Sequence, residues 1–365
     1  MSIRFIHTAD LQIGMTASGS GAMASALRDA RVQALERVLA VGRERNADFI
    51  VIAGDLFEGN DISLELVRRT ASVLQSSPLP VYIIAGNHDH AGPESIYRNN
   101  AFEPGNHVEV LLEHTPRILE PLDLALYPCS CLERRSETSP LSWIQKDVST
   151  RFHVAIAHGS WTGGPRLQEN DYPMSTEELE GLGLDYIALG HWHSTYPDPD
   201  RTQSGAFYYS GTPEPTGFGE RDSGNVLFVE LDPGSRKVEK IPVARYKFLD
   251  IDVQVSDETS VADIARKFDS LDSPDTTLVR IRLKGVAGLS VHEAIHEMIE
   301  QERSRFALVR IDDSGMLVSP GEKDFAQFAP GGIASVTFRL LEQSDDIDPR
   351  LRSRALDLAY RFFKT

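Results

Sequence analysis

Short, almost wholly apolar runs recur through the first 190 residues, and each stops abruptly at a small or polar residue: Ile3 to Thr8, Phe49 to Ala53, Val81 to Ala85, Phe152 to Ala157 and Leu184 to Leu189. Runs of this length without alternation read as strands buried on both faces. Between the first three lie segments with helical spacing. In residues 22–45, Leu27, Ala30, Ala34, Val38 and Val41 share one face, and in residues 62–76 Leu66, Val67, Ala71 and Leu74 do the same. Strand, helix, strand, helix, strand is the order of a parallel sheet covered by helices. Residues 206–211 and 225–231 supply further strands, which we assign to a second sheet, separated by the Pro/Gly-rich loop 212–224. Residues 105–150 read as short strands and loops punctuated by Pro116, Pro121, Pro128 and Pro140. The pattern therefore predicts an α/β architecture of two packed sheets with helices outside.

Near residue 245 the long buried runs give way to half-buried strands and helices. Strands over 248–255, 277–284 and 307–311 alternate with helices over 261–271 and 291–303, a β-α-β-α-β unit suited to capping the first domain. We therefore divide the chain into residues 1–244, a cap over 245–320 and a tail over 321–365. The tail is Gly/Pro-rich and acidic up to Pro349, then helical through Leu351, Leu356, Ala359 and Phe363, and is a candidate for partner docking.

Composition narrows the functional classes. No run approaches the length of a membrane span, and Met1 to Phe5 enters a strand directly, so we expect no membrane association and a cytoplasmic location. Cys129 and Cys131 are the only cysteines, too few and too close for a disulfide framework or a four-ligand zinc site, and read as reduced structural thiols. A net charge of −17 argues against coating nucleic acid by bulk electrostatics. A local basic groove or bound divalent cations could still hold phosphate.

The chemistry sits where the apolar runs end. Gly86 permits a sharp turn after Val81 to Ala85 and aims Asn87, His88 and Asp89 out of the sheet end. Asn87 offers an amide oxygen suited to a metal, His88 can hold a proton near neutral pH, and Asp89 can orient that imidazole. The other strand ends deliver Asp10 with Gln12, Asp55, His158, and His191 with His193. Ligand crevices of open α/β sheets lie at these carboxyl ends. Collected, the residues form a set for two divalent cations about 3.5–4 Å apart, bridged by a carboxylate, for which Asp55 is the candidate. Imidazole, carboxylate and amide without thiolate suit Mn, Fe or Zn. Such a pair points to phosphate-ester hydrolysis.

The ordered motifs Asp10-Leu11-Gln12, Gly54-Asp55, Gly86-Asn87-His88-Asp89, His158-Gly159 and Gly190-His191-Trp192-His193 resemble the calcineurin-like metallophosphoesterase superfamily over the first two thirds of the chain. Ile6 to Asp10, Gly54 to Phe57 and the cap resemble, within it, the SbcD-like exonuclease subunits of DNA double-strand-break repair. The resemblance implies a four-layer α-β-β-α sandwich and two divalent metals, with Mn favoured over Fe or Zn. It implies that Asp10 and His193 bind one metal, that Asn87, His158 and His191 bind the other, and that Asp55 bridges them. It further implies in-line attack on a phosphodiester by a bridging hydroxide, with His88 protonating the leaving oxygen and Asp89 behind it. DNA and an SMC-like ABC ATPase are the implied partners, with a homodimer as a family-level expectation. The family pattern places histidine where this chain has Gln12, so a looser first metal site and dependence on added Mn are expected.

Other signals compete. His292-Glu293-Ala294-Ile295-His296 is an H-E-x-x-H string. We read it as accidental: Ser290 and Glu293 make a capping box, and Val291, Ile295, Met298 and Ile299 form the buried face, which turns both histidines outward. Arg280, Arg282 and Lys284 alternate with apolar residues and are candidates for phosphate-backbone contact, as are Arg134, Arg135 and Arg166 on loops. His7, inside the first strand, reads as a hydrogen-bonded residue behind the site. Three functions stay open: a DNA exo/endonuclease subunit, a small-substrate phosphodiesterase or phosphatase, and a binding protein whose metal site is structural or lost.

Overall fold

The computed structural model describes residues 2–16, 21–164, 171–202, 205–326, 328–344 and 346–364. The chain divides into two compact units, residues 1–246 and 247–365. The first begins with β1 (Ile3–Thr8), α1 (Ala22–Glu44), β2 (Phe49–Ala53), α2 (Leu64–Gln75), β3 (Val81–Ile84) and β4 (Val108–Val110). It continues through β5 (Arg117–Leu119), β6 (Leu124–Cys129), β7 (Phe152–His158), α3 (Thr176–Gly181), β8 (Tyr186–Gly190) and β9 (Phe207–Tyr209), and closes with β10 (Asn225–Asp232) and β11 (Ser235–Pro242).

Two sheets result. One runs in the order β11-β10-β1-β2-β3-β4 and the other β5-β6-β7-β8-β9. Strand alternation sends Ile50 and Ile52 outward beneath α1 and α2, where they meet Leu35, Val38, Val67 and Leu74. Phe49, Val51 and Ala53 point inward, with Phe5 and Ile84, onto Leu126, Val154, Ile156 and Tyr186 of the opposite sheet. Phe5 stacks on Phe49 at 4.9 Å and takes the edge of Tyr186 at 5.5 Å, a direct contact across the interface. The outer face of the second sheet is covered by α3 and by loop residues including Leu141, Ile144 and Met174. This is the α-β-β-α layering expected, with a thin fourth layer.

Residues 225–231 do not join the second sheet as expected. β9 belongs to the second sheet, but β10 crosses back and pairs antiparallel with β1, Ile3 opposite Leu231 and His7 opposite Leu227. β10 then turns into β11, which the sequence pattern missed because β11 is an edge strand with one fully buried apolar residue, Val238. Nothing local distinguishes the two candidate partners of β10. In the fold, Val226 joins the core under the helices, and Leu227, Val229 and Leu231 join the core between the sheets.

The second unit holds β12 (Lys247–Val255), α4 (Thr259–Asp269), β13 (Thr277–Ala287), α5 (Leu289–Glu302) and β14 (Leu308–Val318). The three strands are all parallel, in the order β12-β13-β14, with Ile264, Phe268, Val291, Ile295 and Ile299 of the helices packed on Val279, Ile281 and Leu283. Ser290 does not cap α5; the cap is Gly288, without a side-chain bond. Residues 321–364 add α6 (Glu322–Phe325), α7 (Ile333–Glu342) and α8 (Pro349–Lys364), whose Phe325, Phe338, Leu356 and Tyr360 form a small core beside Leu289. The tail is thus part of this unit.

The cations of β13 are paired within the sheet. Parallel register sets Asp250 beside Arg280 and Asp252 beside Arg282. Asp250 takes bonds from Arg280 at 2.5 and 2.9 Å and from Arg282 at 2.9 Å, while Lys284 reaches Asp252 at 2.9 Å. That pairing reduces the charge these cations offer a phosphate backbone. Arg134 and Arg135 are exposed on the loop after β6. Arg166 lies outside the described residues.

Gly190 ends β8 where the two sheets come closest: a Cβ there would lie 1.9 Å from the Ala53 carbonyl oxygen and 2.9 Å from the Ala9 Cβ. Gly190→Ala should destabilise the first unit by about 3 kcal/mol or more, since backbone atoms would have to move. Thermal denaturation reads this directly, and an unchanged midpoint contradicts it.

Candidate metal centre

The carboxyl ends of β1, β2, β3, β7 and β8 converge. Backbone bonds continue past the strands, with Asp10 N–H donating to Gly54 at 3.1 Å, Gln12 to Asp55 at 2.9 Å and Ile13 to Leu56 at 2.9 Å. The two ligand-bearing loops are therefore held to each other by main chain, independently of their side chains. Four residues at these ends adopt left-handed backbone although none is glycine: Asp10 (φ 54°), Gln12 (44°), Asp55 (52°) and His191 (106°). Such conformations cost on the order of 1 kcal/mol or more each and persist where the surroundings over-determine them.

Glycine precedes three of the key residues for steric reasons. A Cβ on Gly86 would stand 2.1 Å from Asp55 Oδ1, and one on Gly54 2.4 Å from His158 Nδ1. The Gly190 contacts described above complete the set. The side chains that meet across the sheets need this space.

Asp10 is fully buried and Asp55 is 1% exposed. One donor atom from each of Asp10, Asp55 and His158 lies within 4.8 Å of the others. His158 Nδ1 donates to the Ala53 carbonyl at 2.9 Å, so Nε2 faces the site, 2.8 Å from Asn87 Oδ1 and 3.5 Å from Asp55 Oδ2. His191 Nδ1 stands 3.2 Å from the same Asn87 oxygen, and its main-chain N–H donates to both Asp10 oxygens at 3.1 Å. His193 Nε2 is 3.2 Å from the Gln12 amide nitrogen, while Gln12 Oε1 is buried with no hydrogen-bond partner among the described residues. Two buried carboxylates, an orphaned amide oxygen and imidazoles whose outer nitrogens are already engaged fit divalent cations. Hydrogen-bonded neutral packing would leave no such surplus of acceptors.

Electrostatics follow the same arrangement. Burial and the nearby Asp55 push Asp10 up, although His158 and His193 oppose them. Burial would raise Asp55 too, but the His158 imidazolium beside it overrides this and holds it well below the ordinary range. His158 shows the reciprocal effect, since burial would lower it and Asp55 lifts it to about 9. His191 is driven down to about 3 by burial and by the charge on His158.

A family model of calcineurin-like phosphoesterases matches residues 3–195, more than half of the chain and nearly every motif just described. The chain belongs to that family. Its relatives include an uncharacterized metallophosphoesterase, YhaO, of Bacillus subtilis, 24% identical over 52% of this chain and 48% of YhaO. The DNA double-strand break repair protein Mre11 of Haloferax volcanii is 23% identical over 87% of this chain and 70% of its own length. The SbcD component of the SbcCD nuclease of Bacillus subtilis is 24% identical over 64% and 67% respectively. The chain thus spans about half of YhaO and about two thirds of the other two.

Within this calcineurin-like centre the structure brings together Asp10, Gln12, Asp55, Asn87, His158, His191 and His193. The expected Asp89–His88 pair is absent. Asp89 spends its oxygens on the Gly86 N–H at 2.7 Å, the Phe57 N–H at 3.0 Å and the Tyr97 hydroxyl. It fixes the turn, and burial together with Asp55 raises it to about 6. His88 is instead held by Glu58, through the carbonyl at 3.0 Å and the carboxylate at 3.7 Å from Nδ1. His7 is buried between the Tyr186 hydroxyl at 3.0 Å and the Leu189 carbonyl at 3.2 Å, away from any ligand role.

Two supporting carboxylates escaped the sequence reading. Glu220 accepts from His193 Nδ1 at 2.9 Å, with Thr216 beside both, and Asp171 lies 3.7 Å from His191 Nε2. Both lie in loops of undistinguished composition, so only the fold could reveal them. A buried Arg31 donates to the carbonyls of Leu11 at 3.1 Å and Pro215 at 3.2 Å, tying the Gln12 loop to the loop that carries Thr216 and Glu220.

Glu220→Gln should weaken Mn²⁺ binding about 10–100-fold by loosening His193, as equilibrium dialysis would detect. A second expected outcome concerns pH. Because His158 titrates at about 9 folded against an ordinary 6.5, its protonated pairing with Asp55 stabilises the metal-free protein fully below pH 6.5 and is lost as pH rises to 9. A cation needs the neutral imidazole. The thermal shift caused by Mn²⁺ should therefore grow from pH 6.5 to 9, and a flat profile contradicts the assignment.

Proposed function

We propose that the protein is a metal-dependent phosphodiesterase acting on DNA, an exo/endonuclease subunit that works with an ATPase partner in DNA repair. The reading rests chiefly on the buried Asp10, Asp55 and His158 cluster at the sheet ends, together with the family and with relatives named as a break-repair protein and a nuclease subunit. Asp10, Gln12 and His193 would hold one cation, Asn87, His158 and His191 the other, with Asp55 between them. When bound, such ions supply Lewis-acid polarisation of a phosphoryl oxygen and ionise water near neutral pH, with Mn favoured by the oxygen and imidazole donors.

The chain's own residues do the rest. His88 keeps about a quarter of its side chain exposed while Glu58 anchors Nδ1, which leaves Nε2 to hand a proton to the departing alkoxide. Asp89 keeps the Gly86 to His88 turn in place, so the imidazole and Asn87 move as one piece. The main-chain N–H of His88 donates to Asp55 Oδ1 at 3.0 Å and fixes the orientation of the central carboxylate.

Beside His191 and His193 opens a cavity of about 1180 Å³, lined by Trp192, Tyr196 and Phe218 as well as Arg221. Aromatic walls next to a phosphate site suit a base or a sugar. Asp171, Glu220 and Asp222 line the same cavity. That acidity supports the second reading, a small-substrate phosphodiesterase, because a duplex brings many phosphates past the rim.

His88→Ala should lower kcat by about 10²–10⁴ while leaving bound metal unchanged. The assay is Mn²⁺-dependent degradation of end-labelled single- and double-stranded DNA beside bis-p-nitrophenyl phosphate, with EDTA as the blank. DNA shortening that is lost in the variant supports the nuclease. Turnover of the diester with intact DNA, in the presence of an ATPase partner as well, favours the second reading. No turnover with any metal overturns both.

A further inference from the structure

The two histidines of the H-E-x-x-H string of α5 are partly covered, although its helical spacing turns them outward. Val291, Ile295 and Ile299 are buried against the sheet, and His292 and His296 flank them, their rings tilted 43° to each other with centroids 4.3 Å apart. Their side chains are only 21% and 36% exposed. What covers them is β14. Val309 and Ile311 point at the helices, and Asp313 continues the same face. There the ladder slips: Arg282 pairs with Asp312 but Lys284 with Gly315, leaving Asp313 and Ser314 as the bulge. Met316 and Val318 then resume burial. The bulge thus inserts a carboxylate where alternation calls for an apolar side chain.

Both imidazoles aim the same atom at that carboxylate. His292 Nε2 is 3.4 Å and His296 Nε2 3.5 Å from Asp313 Oδ2, and the three donor atoms all lie within 4.8 Å of one another. Good N–H···O bonds span about 2.7–3.2 Å, so His292 makes only a long hydrogen bond to this oxygen and His296 none. His296 Nε2 is in fact buried with no hydrogen-bond partner among the described residues. By contrast, ligands about 2.0–2.1 Å from a tetrahedral zinc stand about 3.3–3.4 Å apart, close to both nitrogen–carboxylate separations here. Asp313 is not committed to holding the bulge, because the Ser314 N–H and hydroxyl both bond Asp312.

We propose that His292, His296 and Asp313 form a transition-metal site of the zinc class in the second unit, with the fourth position open to water. A cation there joins α5 to the bulge of β14 and locks the register at which β14 leaves and re-enters the core. The site shares no residue with the centre of the first unit, and its occupancy is independent of phosphodiester turnover.

The test is equilibrium dialysis of the full-length protein against Zn²⁺ at tens of micromolar, comparing wild type with His296→Ala and Asp313→Asn. Each variant should hold one zinc equivalent fewer than wild type, and the visible spectrum of the Co²⁺-loaded protein should lose one tetrahedral component. Bis-p-nitrophenyl phosphate turnover in Mn²⁺ should be unchanged. Asp313 is half exposed and outside the apolar core, so Asp313→Asn carries the test even if the histidine variant folds poorly. Equal zinc content in wild type and Asp313→Asn, with identical Co²⁺ spectra, overturns the proposal.

Discussion

Two carboxylates, Asp10 and Asp55, are buried within a few ångströms of each other, and the first unit is arranged around making that tolerable. Uncompensated burial of charge is among the most expensive things a fold can do. Without a bound cation the compensation comes from His158, which takes a proton and bonds to the Ala53 carbonyl behind it. Main-chain N–H groups of His191 and His88 add further support to Asp10 and Asp55. Divalent cations would serve the same carboxylates better, since each brings two charges and occupies the donors that a single proton leaves idle.

That constraint explains the position of the glycines and of the backbone strain. Ligands from both sheets can meet only if the strands approach closely at their carboxyl ends, and Gly54, Gly86 and Gly190 remove the Cβ atoms that would prevent it. The left-handed backbone at Asp10, Gln12, Asp55 and His191 is the complementary device, re-aiming side chains sharply away from the strand direction. The stacked core between the sheets holds these conformations in place. Around it Glu58, Glu220 and Asp171 stand beside ring nitrogens of His88, His193 and His191, and buried Arg31 ties together the loops that carry Gln12 and Glu220.

The second unit solves its charge problem differently. Asp250 and Asp252 on β12 answer the cations of β13 side by side, a consequence of parallel register. Its other face is conventional apolar packing except at the bulge of β14, where Asp313 meets two histidines. Asp313 stands at the edge of that packing, half exposed, where the bulge brings it to the two imidazoles.

The five strands that carry the centre and the chemistry at their ends are legible in the chain because strand and ligand are contiguous: an apolar run and then the ligand, with glycine between them before Asp55, Asn87 and His191. Each of Asp10, Asp55, Asn87, His158 and His191 is announced by the strand before it. The β-α-β-α-β order of residues 247–318 was legible for the same reason. What depends on partners far apart in the chain was settled by the fold. It chose β1 over β9 as the neighbour of β10, Glu58 over Asp89 as the support of His88, and Glu220 as that of His193. It also turned His292 and His296 toward Asp313, through a bulge one residue long that no periodicity reveals. Local pattern records which face of an element is apolar. Which polar group from elsewhere meets its edge is set by register and packing, and those exist only once the chain has folded.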